Sequence, residues 1–198
     1  MHDAERFQRV FAAALAWPAY LASARDHERP GWERAWQRTV LSDPQHRMLH
    51  SLTRRINVLV ISGTWCGDCV RQCPILARAQ EAHPAAPDDP RAPGLDVRFI
   101  DRESDPEFGR PFMICGGRRV PVAIFLNEEF EFVSMLGDKT LSRLRRLASQ
   151  ELGAHCPLPG ADVSGDETAE VIRDWLTEIE RVGLLLRLSP KLREVHGD

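Results

Sequence analysis

The chain has 198 residues, 43% of them hydrophobic, and a formal net charge of −3. That length suits one core with additions, and the near balance of charge argues against a broad cationic face for nucleic acid. Cysteines at positions 66, 69, 73, 115 and 156 are odd in number and lack a secretory framework, which favours a reducing compartment over a disulfide-stapled secreted fold. Asp3, Glu5, Arg6 and Arg9 interrupt the N-terminal apolar patches too early for a signal-peptide core. No run approaches the roughly 18 apolar residues that span a bilayer. The expectation is a soluble cytoplasmic protein with no membrane attachment.

Residues 4–17 place Phe7, Val10, Phe11, Ala14 and Leu15 at helical intervals, which predicts a helix with one apolar face. Pro18 should kink or restart it. After the Pro30-Gly31 turn, Trp32, Trp36 and Val40 recur at four-residue steps, the signature of a short helix with an aromatic ridge. Asp43 is expected to cap a further helix with Pro44 in its first position and Met48, Leu49 and Leu52 on its buried side. His46 and His50 have a spacing that can hold a metal, but without an acidic or cysteine partner nearby a surface or packing role is the simpler reading.

The run Ile56–Ser62 is nearly continuous apolar sequence, as in a strand buried on both faces. A helix should follow Cys66, bend at Pro74 and reach about Ala82. Prolines 84, 87, 90 and 93 mark a loop. A strand is expected over Leu95–Asp101, a short helix from Asp105-Pro106, and a hairpin of Val122–Leu126 with Glu131–Met135. Asp138 can cap a helix whose Leu141, Leu144, Leu147 and Ala148 pack inward and which Gly153 stops, with Arg143, Arg145 and Arg146 on a solvated face. After a linker at 154–165, a helix over about 166–187 repeats Val171, Ile172, Trp175, Leu176, Ile179, Val182 and Leu186. Its wide apolar face is expected to pack within the chain rather than on a second copy, although a homodimer stays open beside the monomer.

The stretch carrying chemistry is Trp65-Cys66-Gly67-Asp68-Cys69, placed where the first strand passes into a helix. Two cysteines at this spacing can close a small disulfide ring, and the first sits where unpaired amide N–H groups favour a thiolate. Together with Pro74, the Val120-Pro121 step and Gly137, the motif resembles the thioredoxin superfamily, in which those elements occur in that order. The helical extensions look like those of a larger bacterial group of thioredoxin-like proteins. The resemblance covers roughly residues 53–150 and implies an α/β fold, a thioredoxin-like mixed sheet flanked by helices, with a helical extension at 1–52 and a linker and helix at 151–198 packing on the core.

On this reading Cys66 is the nucleophile and Cys69 the resolving thiol of a thiol–disulfide oxidoreductase, with no cofactor and no metal. Its partners would be a disulfide-bearing protein or small thiol and an unidentified electron donor. Trp65 is expected either to contact substrate or to pack at the sheet edge. By resemblance, Pro121 is cis and places Val120 beside the cysteines, where its backbone could pair with an extended substrate.

Two departures are visible. Gly67-Asp68 stands where thioredoxins carry Gly-Pro, and the Asp68 carboxylate is expected to raise the Cys66 thiol pKa and leave a reducing site. Val60 stands where thioredoxins keep a buried acid for proton transfer, which makes Asp68 a candidate for part of that role. Cys73 is expected to be buried beside Pro74 rather than to act as an extra resolving thiol, and Cys115 and Cys156 to be packed or incidental. A metal or cluster protein using Cys66, Cys69, Cys73 and Cys115 and a non-catalytic scaffold are the competing readings.

Overall fold

The strand that ends at the cysteine motif is the innermost element. In the computed structural model, which describes residues 3–152 and 165–197, strand β1 (Arg55–Ser62) is buried at every position. It pairs in parallel with β2 (Gly94–Asp101) and antiparallel with β3 (Val122–Leu126), itself antiparallel to β4 (Phe132–Gly137). The strand order is therefore β2-β1-β3-β4, the mixed sheet expected from sequence. The register sets Ser62 beside Asp101 and Ile61 beside Val122, so the motif emerges next to the start of β3.

The N-terminal segment forms α1 (Ala4–Ala13), α2 (Trp17–Ala22), α3 (Arg29–Arg38) and α4 (Asp43–His50). The single helix expected over residues 4–17 is broken: the backbone turns extended at Ala14. Leu15 then exchanges two main-chain hydrogen bonds of 2.8 Å with Phe99 on β2 and remains partly exposed, not packed on a helix face. Pro18 lies in the first turn of α2, where its missing N–H costs nothing. Trp32 is fully buried, but Val40 lies beyond the end of α3 and is exposed. Ser42, not Asp43, caps α4, its backbone N–H donating to Gln45 Oε1 at 2.8 Å.

Helix α5 (Gly67–Ala82) continues through a buried Pro74. The proline-rich loop follows as expected, and a short helix α6 (Pro106–Gly109) is capped by the Asp105 carboxylate, which accepts from Phe108 N–H at 2.8 Å. Helix α7 (Leu141–Glu151) is capped at Thr140, while the Asp138 carboxylate instead pairs with Lys139. Leu141 and Leu144 are exposed, because α7 meets its neighbour through polar contacts. Arg143 and Arg146, expected on a solvated face, pair at 2.8 and 3.0 Å with Glu167 and Glu170 of α8 (Glu167–Leu188). Gly153, residues 154–164 of the expected linker and Cys156 lie outside the described residues.

All seven apolar residues singled out on α8 are buried within this chain. Trp175 Nε1 donates to Gln72 Oε1 of α5 at 3.1 Å, and Gly183 lies against Leu52 at the end of the α4 segment. A short α9 (Pro190–His196), begun by a Ser189 cap and Pro190, was not foreseen. It is tied to the β3–β4 turn by His196, 3.4 Å from Glu129.

Gly137 has a packing reason. A Cβ built there would lie 2.3 Å from the Pro121 carbonyl oxygen and 2.9 Å from Val122 Cα, so β4 can approach the start of β3 only through glycine. Gly137→Ala is therefore expected to destabilise the protein by about 1–3 kcal/mol, as overpacking against backbone does, measured as a lowered denaturation midpoint at unchanged m-value.

Candidate active site

Cys66 occupies the N-cap of α5, partly exposed, and its sulfur accepts the Cys69 backbone N–H at 3.4 Å. The helix begins there because Gly67 and Asp68 supply its first turn and the cap sulfur satisfies an otherwise orphaned N–H. On its other side the Cys66 thiol donates to the Val120 carbonyl oxygen at 3.5 Å. The Val120-Pro121 peptide bond is cis, as the resemblance implied. Cys69 lies one turn inward and is completely buried. Both are free thiols.

Trp65 is half exposed, with its indole flat over Gly63: a Cβ on residue 63 would come within 2.8 Å of the ring. The guanidinium of Arg102 sits over the ring, 4.6 Å from its centroid. Behind the loop, Trp32 Nε1 donates to the Thr64 carbonyl at 2.9 Å, so a leader tryptophan holds the residue next to Trp65. Gly63 and Arg102 were not singled out in the sequence, and Trp32 was read only as part of an aromatic ridge; a glycine closing an apolar run two residues before Trp65 was the available signal. Gly67 has open space where a Cβ would sit, and packing does not require glycine there.

The electrostatics depart from the expectation for Asp68. Contact with the Cys69 thiol, followed by partial burial, pushes the Cys66 pKa up, while the backbone N–H groups of Cys69 and Asp68 pull it down. The direction agrees with the expected rise but its source does not: the Asp68 carboxylate is engaged by Lys139 at 3.2 Å and Arg71 at 3.6 Å. Cys69 is raised mainly by burial and also by Cys73, while Cys66 and Ser62 act to lower it. Asp68, held by Lys139 and Arg71, is not among the main influences on Cys69.

Cys73 is buried with its sulfur 3.4 Å from Ser62 Oγ, and Cys115 is exposed on a turn with positive φ. Cys66, Cys69, Cys73 and Cys115 do not converge as a ligand set. Among the described residues the group of potential metal ligands is Glu128, Glu129 and His196, at the opposite end of β3 from Pro121. Arg54, 3.7 Å from Glu128, supplies a cation there already. His46 and His50 are outside that group, and the His50 ring packs edge-on against His83.

A family model described as Thioredoxin matches residues 14–140, more than half of the chain. The chain belongs to the thioredoxin family. The match begins inside the helical leader and ends just beyond Gly137, so this thioredoxin-family domain takes α2, α3 and α4 into its fold. Two solved structures are similar at 18% identity and a TM-score of 0.65, which shows shared fold. One, a crystal structure of a protein of unknown function from Pseudomonas aeruginosa, aligns over 91% of this chain and 99% of its own. The other, an HIV epitope-scaffold, aligns over 88% of this chain and 97% of its own. No curated protein matches.

If the neighbouring thiol is what raises Cys66, removing it must lower the pH at which Cys66 ionises. In Cys69→Ala the pH midpoint of Cys66 alkylation, followed by peptide mass spectrometry, is expected to fall below that of the parent. Asp68→Asn should move it less, because that carboxylate is already paired.

Proposed function

We propose that this thioredoxin-family protein is a thiol–disulfide oxidoreductase that reduces disulfides of proteins or small thiols through Cys66 and Cys69. The observation that carries the reading is the asymmetry of the pair: a partly exposed sulfur at a helix N-cap beside a cis-proline step, with the second thiol sealed one turn inward. The outer sulfur can be reached by a substrate disulfide, and the inner one only by Cys66 itself.

As a thiolate, Cys66 attacks one sulfur of the substrate disulfide; the substrate S–S bond breaks, a mixed disulfide forms and the other substrate sulfur leaves as a thiolate that takes a proton from solvent. The Cys69 sulfur then attacks Cys66, closes the internal disulfide and releases the substrate thiol. Trp65, Val120 and Pro121 frame the exposed sulfur, and Val120, whose carbonyl takes the Cys66 thiol at rest, offers its backbone to an extended substrate once that bond is given up. Contact with Cys69 and then burial hold the Cys66 thiol neutral, and burial holds that of Cys69, which favours giving electrons away, since a strongly oxidising pair depends on a stabilised thiolate. An electron donor must then reduce the internal disulfide, and the cycle calls for no cofactor. The free cysteines suit the cytoplasm. The seven apolar residues singled out on α8 are buried inside the chain, which supports action as a monomer, while Leu184, Leu185 and Leu188 near its end are exposed and keep a homodimer open. Among the described residues no helix is long and apolar enough to cross a membrane.

Cys69→Ser arrests the cycle after the first step. Incubated with a disulfide-bearing peptide, it is expected to accumulate a mixed disulfide at Cys66, seen as a reducible mass increase, whereas Cys66→Ser gives none there. Absence of an adduct at Cys66 would count against the dithiol mechanism and in favour of a non-catalytic scaffold.

A further inference from the structure

A cleft of about 350 Å³ opens between α3, α5 and the starts of α7 and α8, a size that takes a small ligand or a few side chains of a peptide. Four arginines line it, Arg34 and Arg38 from α3, Arg71 from α5 and Arg143 from α7, against the two carboxylates of Asp68 and Glu167. Both carboxylates are taken: Asp68 meets Lys139 at 3.2 Å and Arg71 at 3.6 Å, and Glu167 meets Arg143 at 2.8 Å. Arg34 and Arg38 are exposed, and neither guanidinium has a hydrogen bond or ion pair among the described residues. Their charge is therefore in surplus here, although the chain as a whole carries −3.

Nothing in α3 itself calls for this pair, since like charges four residues apart weaken a helix. Toward a ligand the pair is well placed. A concave site lined by one sign of charge concentrates its field on whatever enters, and guanidinium groups match carboxylates in shape as well as charge. The two arginines are one helical turn, about 6 Å, apart along α3; alternate residues of an extended peptide are about 6.6 Å apart. Val70, Ile75 and Val171 add an apolar lining. The cleft also reaches the redox motif: Asp68 follows Cys66 by two residues, and Arg71 lies about 7 Å along the helix axis from it.

We propose that this cleft binds an acidic stretch of a polypeptide substrate, with Arg34 and Arg38 each taking a carboxylate from alternate residues and so holding the substrate's disulfide beside Cys66. The proposal rests on the dithiol mechanism above and names its substrate class, a protein disulfide flanked by Glu or Asp. Arg34 and Arg38 contribute to binding and to the choice of substrate; the exchange of sulfur bonds is left to Cys66 and Cys69. Because both arginines are exposed, the attraction is modest and falls as salt is added.

The test uses three peptides with one internal disulfide, identical except for Glu-x-Glu, Gln-x-Gln or Lys-x-Lys beside each cysteine. Single-turnover oxidation of the reduced protein, followed by acid quench, alkylation and mass spectrometry of Cys66 and Cys69, gives a maximal rate and a half-saturating concentration for each. At low salt the Glu peptide is expected to half-saturate at about fivefold lower concentration than the Gln peptide, the scale of two exposed ion pairs. The maximal rates should be equal, and the gap should shrink in about 0.5 M salt. Arg34→Gln with Arg38→Gln should abolish the gap, and Arg34→Glu with Arg38→Glu should reverse it in favour of the Lys peptide. Arg9→Gln with Arg145→Gln removes the same charge from exposed positions elsewhere and should leave it intact. No preference for Glu in the parent, or an equal loss on changing Arg9 and Arg145, overturns the proposal. So does a small dicarboxylate that competes as well as a disulfide-free form of the Glu peptide. Binding of that disulfide-free peptide, read by fluorescence anisotropy, is expected to depend on Arg34 and Arg38 in the same way. Should it do so while none of the three peptides is reduced, the dithiol mechanism falls and the cleft stands.

Discussion

Helix α5 starts from Cys66, carries Cys69 and is buried along one side for most of its length, so the polar groups on that side have to find partners inside the protein. Gln72 shows what this demands. Its amide donates to the Asp138 carbonyl at 2.8 Å and accepts the Trp175 indole N–H at 3.1 Å, joining α5 at once to the β4–α7 turn and to α8. Gln80 accepts the Val97 backbone N–H at 2.6 Å, and Arg78 stacks over Trp36 with 3.6 Å between guanidinium and ring centroid. Loss of any of these partners would strand a polar group in low-dielectric surroundings.

The partners come largely from outside the central sheet. Tyr20, Trp32 and Trp36 belong to the leader, and Trp175 to the C-terminal helix. Each is a large aromatic ring with a polar donor, and Tyr20, Trp32 and Trp175 use theirs in hydrogen bonds; such side chains can bury area and satisfy a buried acceptor together. Trp17, Tyr20, Trp32, Trp36 and Phe99 stack into one aromatic cluster behind the motif. The extensions are therefore part of the site's foundation. Trp32 fixes Thr64, and Thr64 leads into Trp65 and Cys66.

What could be read from sequence divides along physical lines. The strands were legible because β1 and β3 are buried on both faces and leave continuous apolar runs, and α8 because its apolar residues keep helical spacing over 22 residues. The cysteine pair, Pro121 and Gly137 were legible as a constellation, and the Pro121–Gly137 contact shows why a glycine belongs there. Leu141 and Leu144 misled because an amphipathic pattern does not say which neighbour a face meets, and α7 meets α8 through arginines. The role expected of Asp68 followed from its closeness in sequence to Cys66, yet its charge is spoken for by Lys139, on a different element. Tyr20 and Ser62 are 42 positions apart and touch only through the fold, so no local pattern announces them. Ser189-Pro190, a cap followed by a first-turn proline, was a local signal for α9 that the sequence reading did not use.

The short segment at Leu15 bears on more than the leader's own packing. Its two main-chain bonds to Phe99 occupy part of the outer rim of β2, and Pro84 bridges the same strand at Leu95. A bare rim of unpaired N–H and C=O groups on a flat, apolar strand is a template onto which a foreign strand can add. By capping that rim with its own backbone, the chain guards its sheet against growth from one molecule to the next.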